Sequence, residues 1–504
     1  MKLFVYKYWS QLILFGIFVS VLPFRFYHIN APLFDAASFR QAQTATVVRN
    51  YYATGINLFR SELDILGIGK EKYLTLEFPF YEAVVTVLYK AFYVSETWGR
   101  IVSIASGLIA ALFVYLIAKE LIRREGIALL STFFFLYAPL NMFYQRAFLI
   151  ESTVIACLLM GFYFYLRWIQ FESVKILLLG MFLLTLGFVQ KGVYGPFWLL
   201  PLFVYYAIVR SKKDFFRLNL FLAVVIPLSC LFLWQRYVNY INVANGNDYF
   251  TTYHPGHLLW NFGTLNDRIS LAMWSPRLMQ LLNGILLKPG LIFFVVGLME
   301  ARKHKNHLTL YAWLGSALVY FVTLFRIQSH NYYQMIMVPP FVLFMAIGFT
   351  SIVNWLSSQI HRKLKSFSIK QITTGILLFG CVLFGVRAWM FARWSFVTEN
   401  NEYQRILEIK QILPNGPGVF VLPGYDWNSV YSYYLGKKLL AADASELTQK
   451  QIDLWKKSGY TFLMLNRYPE YQDYLINKNI DRDISFIESI RGVIVKNDLL
   501  IVPL

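Results

Sequence analysis

Residues 10–45 read SQLILFGIFVSVLPFRFYHINAPLFDAASFRQAQTA, and they set the terms for the rest of the chain. The first eighteen, 10–27, form an apolar run long enough to cross a bilayer, which takes about 20 mostly apolar residues. Lys2 and Lys7 precede it, and no small-residue cleavage site follows at Pro23-Phe24-Arg25. The run therefore reads as an uncleaved first helix rather than a signal peptide. Eight residues beyond it stands an acid, Asp35, followed by Arg40, Gln41 and Gln43 on a segment that reads as a short helix. An acid near the bilayer with guanidinium and amide donors behind it suits the handling of a polar head group. The plain alternative is that Asp35 only caps that helix.

The same pattern recurs along the chain. Apolar runs at roughly 101–119, 126–144, 150–169, 175–190, 194–209, 218–236, 284–299, 308–325, 333–353 and 371–391 bring the expected spans to about eleven. The segment 79–94 carries Glu82 and Lys90, is short, and reads as an interfacial helix. The composition agrees: 57% hydrophobic, 15% charged, mean hydropathy +0.48. Soluble globular and disordered chains are both excluded by such values.

The net charge is +19. Residues 395–504 hold 12 Lys+Arg against 13 Asp+Glu, so the excess belongs to residues 1–394. There it gathers at Arg123-Arg124, at Arg210/Lys212/Lys213/Arg217, at Arg302/Lys303/Lys305 and at Arg362/Lys363/Lys365. With eleven spans these four clusters share the side of the N-terminus, which is therefore cytoplasmic. The opposite loop, 28–100, is balanced, with seven basic and seven acidic side chains. The charge thus encodes orientation, and no nucleic-acid partner is expected.

Two domains follow: a membrane domain over 1–394, with a long extracytoplasmic loop at 28–100, and an extracytoplasmic domain over 395–504. The tail alternates strand-like runs (419–422, 460–465, 484–487, 499–502) with helical stretches (447–457, 470–477), which predicts a small α/β domain. Docking, lid, acceptor-recognition and purely structural roles are all open to it. Cys157, Cys230 and Cys381 lie in apolar runs without metal-ligand spacing.

Long loops often carry function, and polar residues sit at the outer ends of several spans. Arg100 opens the second. Arg146 and Glu151 flank the turn between the third and fourth. Gln190-Lys191-Gly192 lies between the fifth and sixth, and His330-Asn331-Tyr332-Tyr333-Gln334 opens the tenth. Lys191 alone could be a snorkelling side chain. Cations are what a phosphate needs and carboxylates are what proton abstraction needs. No internal repeat of the carrier type occurs.

Five pieces of this pattern resemble the GT-C glycosyltransferases of the protein O-mannosyltransferase and aminoarabinose-transferase type. They are Asp35 within DAASFRQAQTA, Glu77-Phe78-Pro79-Phe80-Tyr81, Arg100 in GRIVSIASGL, Arg146 with Glu151 in YQRAFLIES, and His330-Asn331-Tyr332-Tyr333 followed by Pro339-Pro340. The resemblance implies a GT-C fold, a sugar donor on a polyprenyl phosphate, and transfer with inversion to a glycolipid, polysaccharide or protein acceptor. It implies Asp35 as general base and Glu151 as a second acid at the acceptor or a cation. Arg40, Gln43, Arg100, Arg146, Lys191, His330, Tyr332 and Tyr333 become the contacts to donor phosphate and sugar. The chain departs from the pattern where relatives have Asp-Glu (here Asp35-Ala36) and where the aminoarabinose branch has Lys-Pro-Pro (here Glu77-Phe78-Pro79). No residue set argues for a metal, and dependence on a divalent cation stays open. The expected setting is a prokaryotic plasma membrane. The competing reading is a transporter or flippase of a lipid-linked sugar.

Overall fold

In a computed structural model, residues 2–504 are described except 67–72, 211–216, 326–328, 364, 397–400, 423–427, 444–445, 467–489 and 496–498. The expected tail elements at 470–477 and 484–487 lie outside the described residues. Among the described residues, seven helices are long and apolar enough to cross a membrane: Tyr8–Phe26, Glu96–Ile122, Glu151–Phe171, Leu218–Ala244, Leu271–Ala301, Asn331–Lys363 and Ile369–Ser395. Four apolar helices are shorter: Glu125–Tyr137, Val174–Gln190, Pro196–Val209 and His307–Thr323. Each expected apolar run is occupied by one of these, and the chain is an integral membrane protein.

The chain divides into two compact units. The first comprises Met1–Ile29, Thr97–Gln235 and Pro255–Phe396 and holds most of the apolar helices, Leu218–Ala244 being divided between the units at Gln235. The run read as one span at 126–144 is broken here, between helices Glu125–Tyr137 and Pro139–Tyr144. Pro139 has no N–H, so the Phe135 carbonyl loses its helical donor. The Asn141 amide supplies it at 2.8 Å. The buried Arg25, at the end of the first helix, caps the same break. Its guanidinium donates to Leu136 O and Gln145 Oε1, both at 3.0 Å, and to Asn141 O.

Helices Leu287–Ala301 and Val338–Lys363 touch backbone to backbone at Gly297 and Gly348. A Cβ on Gly348 would lie inside the Phe293 carbonyl oxygen, and one on Gly297 inside that of Phe344. Neither neighbour is a side chain that could turn away. Small residues let membrane helices approach in this manner. Gly348→Ala should therefore destabilise the protein by about 3 kcal/mol, the upper range of overpacking. Thermal unfolding in detergent measures it, and an unchanged midpoint would refute the close crossing.

The second unit is Asn30–Glu96, Arg236–His254 and Val397–Leu504, so the tail does not stand alone in it. Its sheet has six strands in the order β1-β3-β2-β4-β6-β5. These are β1 (Ile65–Leu66), β2 (Gly418–Leu422), β3 (Leu439–Asp443), β4 (Phe462–Asn466), β5 (Val493–Val495) and β6 (Leu499–Pro503). The first four run parallel; β6 pairs antiparallel with β4 and with β5. Val419, Val421, Leu463, Leu465 and Leu500 form its buried core with Trp455, from helix Gln449–Lys457. β1 comes from the long outer loop and lies against β3, with Ile65 opposite Leu439. The loop also carries helix Ser38–Thr54, 17 residues long rather than short, and helix Phe80–Ala91, which packs on it through a buried face of Tyr81, Val85 and Tyr89. Asn242, from the 236–254 segment, holds both backbone groups of Thr75 at 2.8 and 3.1 Å.

Candidate active site

In the second unit, Asp35 sits on the turn before helix Ser38–Thr54 and is 4% exposed. It is not the N-cap residue: that position is taken by Ala37, in a left-handed conformation (φ 59°). The Gln41 amide closes the turn instead, donating to Asp35 Oδ1 at 2.7 Å and to Ala36 O at 2.9 Å. One face of the helix thus turns back to hold the acid that precedes it. Arg40 donates to Gln43 Oε1 and forms an ion pair with Glu77. The acid at the Glu77-Phe78-Pro79 position is therefore matched by a guanidinium from the same unit. Further along, Arg49 pairs with Asp64 and donates to the Tyr433 carbonyl. Burial pushes the Tyr433 phenol well above its ordinary range, so it stays neutral.

In the first unit, Glu151 and Lys191 form one ion pair at 2.5 Å. Their exposure is 0% and 2%. Helix Glu151–Phe171 is followed closely by Val174–Gln190, and the two pack along each other. The start of one is thereby beside the end of the other. Glu151 opens the first helix and Lys191 closes the second, each at the end where the peptide dipoles favour its charge. Three phenol rings flank the ammonium: Tyr333 at 4.4 Å, Tyr332 at 5.5 Å and Tyr194 at 5.8 Å. A ring face stabilises a desolvated cation. Tyr194 and Tyr320 in turn donate to the carbonyls of Tyr332 and Tyr333. His330 stacks on Tyr332, with ring centres 5.6 Å apart. The second carboxylate oxygen of Glu151 is buried and has no hydrogen-bond donor among the described residues.

Arg100 and Arg146 are fully buried and reach adjacent carbonyls of the chain leaving the first helix. Arg100 donates to Ile29 O at 2.8 Å and Arg146 to His28 O at 3.0 Å. His28 is itself left-handed (φ 51°), a conformation that costs a non-glycine residue about 1–2 kcal/mol. The two arginines are thus tied to backbone. The structure brings together Glu151, Lys191, Tyr332, Tyr333 and His330 in one unit, and Asp35, Arg40 and Gln43 on one helix start in the other. Sequence reasoning missed Arg25, Tyr194 and Tyr320. A basic residue at the edge of an apolar run was the signal available for Arg25; the two tyrosines gave none. Among the described residues, no group of three or more His, Cys, Asp or Glu side chains could hold a metal ion.

Solved structures share this fold. The crystal structure of ArnT from Cupriavidus metallidurans bound to undecaprenyl phosphate superposes with a TM-score of 0.67 over 97% of both chains, at 16% identity. Its apo state matches equally well. The archaeal oligosaccharyltransferase AglB from Archaeoglobus fulgidus, in complex with an inhibitory peptide and a dolichol-phosphate, gives 0.59 at 10% identity, over 92% of this chain and 70% of that one. The fold is that of the GT-C glycosyltransferases. The family model for dolichyl-phosphate-mannose-protein mannosyltransferase matches residues 78–234. That GT-C segment contains Arg100, Arg146, Glu151 and Lys191, whereas Asp35 and the His330–Tyr333 group lie outside it. No curated protein matches the sequence.

Proposed function

We propose that this chain is a membrane glycosyltransferase that moves one sugar from a polyprenyl-phosphate donor to a hydroxyl of an extracytoplasmic acceptor, with inversion. The observation that carries the reading is Asp35, a buried carboxylate on the turn just before its helix, held there by the Gln41 amide. Support comes from the fold shared with ArnT and AglB, each captured with a polyprenyl phosphate. Asp35 takes the proton of the acceptor hydroxyl as its oxygen attacks the anomeric carbon. The bond from that carbon to the phosphate oxygen breaks, and the lipid phosphate leaves with the electron pair. Attack opposite the leaving group inverts the centre, and no glycosyl-enzyme forms.

Lys191, flanked by Tyr332 and Tyr333, is the donor-phosphate contact in this reading. Glu151 keeps the ammonium in place and offers its second oxygen to a hydroxyl of sugar or acceptor. Because Arg40 is paired with Glu77, an aminoarabinose donor of the Lys-Pro-Pro type is not proposed. Arg100 and Arg146 hold the backbone at Ile29 and His28 within the first unit. The experiment is mass spectrometry of cell-envelope glycans with and without the protein. The expected result is a species one sugar heavier that disappears with Asp35→Asn. Movement of lipid-linked sugar across vesicles with no change in glycan mass would favour a flippase.

The proposed setting is a prokaryotic plasma membrane with the second unit outside. Ser458 is exposed. Placed in a background with Cys157, Cys230 and Cys381 changed to alanine, Ser458→Cys should react with a membrane-impermeant maleimide in intact cells. Reaction only after lysis would reverse the orientation.

A further inference from the structure

We infer that Tyr434 is a positioning residue for Asp35, which gives the C-terminal tail a part in the chemistry; the inference rests on the reading of Asp35 as the base. The residues before Asp35 follow no regular element. Within them, Phe34 N donates to Pro32 O at 2.8 Å. The tail of the same unit also holds them. The Leu33 N–H donates to the Tyr434 hydroxyl, across 401 residues of sequence. The Phe34 ring lies on the Tyr434 ring, 5.2 Å between centres and 16° from parallel. Tyr403 meets the same pair, 6.1 Å from Phe34 and 5.1 Å from Tyr434.

Tyr434 is itself fixed. Its carbonyl accepts from Lys410 Nζ at 3.1 Å. The adjacent Tyr433 carbonyl accepts from Arg49, which projects from helix Ser38–Thr54. That helix begins three residues after Asp35. The acid is thus gripped from both sides: Gln41 and the helix hold it from behind, and Tyr434 holds the two residues in front. Ala37, left-handed without being glycine, shows that this turn does not keep its shape by local preference alone. A base displaced by about 1 Å loses about 10²-fold in rate, while donor binding elsewhere is untouched.

The tests separate this role from the base assignment. Hydrogen exchange of the full-length protein reads the grip without any substrate. In Tyr434→Ala the peptide covering 30–37 should exchange at least about 10-fold faster, while strands β2 and β3 keep wild-type protection. Tyr434→Phe keeps the ring stack and removes only the acceptor of the Leu33 N–H, so it should show part of that change and fold normally. Membranes carrying each variant, with their own donor and acceptor pools, report transfer. Tyr434→Ala should lose about 10²-fold per folded molecule, with Tyr434→Phe recovering most of it. Wild-type transfer in Tyr434→Ala, with Asp35→Asn inactive, would overturn the positioning role and leave the base intact. Unchanged exchange at 30–37 would overturn the grip itself. Full transfer by Asp35→Asn would instead remove the reading on which the inference rests.

Discussion

Asp35→Asn should abolish sugar transfer while leaving a folded protein in the membrane. A positioned general base contributes about 10²–10⁴-fold, and an amide cannot accept the proton. The substitution is mild for the fold. Asparagine has the same shape, and its carbonyl oxygen can accept the Gln41 amide as Asp35 Oδ1 does at 2.7 Å. It also removes a charge from a site that is 4% exposed, which costs the folded state nothing in desolvation. The measurement is transfer of labelled sugar in membranes, normalised to protein that elutes as a single species in detergent. Full activity would exclude Asp35 as base. Loss of activity together with aggregation would point to the turn rather than the proton, and Asp35→Glu would then separate the two, because it retains the charge while lengthening the reach.

The second large effect concerns the Lys191–Glu151 pair. Lys191→Met leaves a carboxylate with 0% exposure and no counter-charge. Breaking a buried pair on one side costs about 3–5 kcal/mol, a large share of an ordinary stability of about 5–15 kcal/mol. Adding Glu151→Gln in the same chain takes away the orphaned charge, and the double variant should regain folded yield. It should not regain transfer, since the proposed phosphate contact is still missing. Size-exclusion profiles and thermal unfolding of the two singles and the double form the cycle that measures the coupling. Additive losses would show that the two side chains do not depend on each other. An active double variant would show that the pair serves only the fold.

The membrane helices were legible because lipid demands long apolar runs, and residues such as 151–171 or 369–392 meet that demand without help from elsewhere. The break at Pro139 was hidden inside one such run: apolarity records burial, not whether carbonyls such as Phe135 O still have donors. The start of the 271–301 helix was missed because Arg277 interrupts the hydropathy, although its guanidinium is buried and satisfied by Phe325 O at 2.8 Å. In the tail, Val419–Leu422 and Leu499–Val502 read as strands from their branched residues. Leu439–Asp443 did not, since LLAAD fits a helix as readily and only pairing with Gly418–Leu422 makes it a strand.

At the candidate site the residue types were readable and their partners were not. Asp35 stood out as an acid after a span, but that Ala37 rather than Asp35 takes the N-cap position was not readable from the spacing. Lys191 looked like a snorkelling side chain until Glu151, forty residues away, was placed against it. Glu77 looked like a lost cation; its pairing with Arg40 is a contact across 37 positions that no local pattern encodes.

The two-residue strand β1 carries a consequence for how the protein is made. It is synthesised early, yet its partner β3 belongs to the last stretch of the chain. The Leu33–Tyr434 bond spans 401 positions in the same way. Contacts so distant in sequence form late, because a long loop must close before they can reward it. The acid at the heart of the proposed chemistry would therefore be synthesised well before the tail could fix its shape. Catalytic competence would arrive as a final act of biogenesis, after the last helix has crossed and the tail has folded around a segment that had been waiting for it. A nascent or prematurely stopped chain would carry its apolar helices into the bilayer and yet be unable to react.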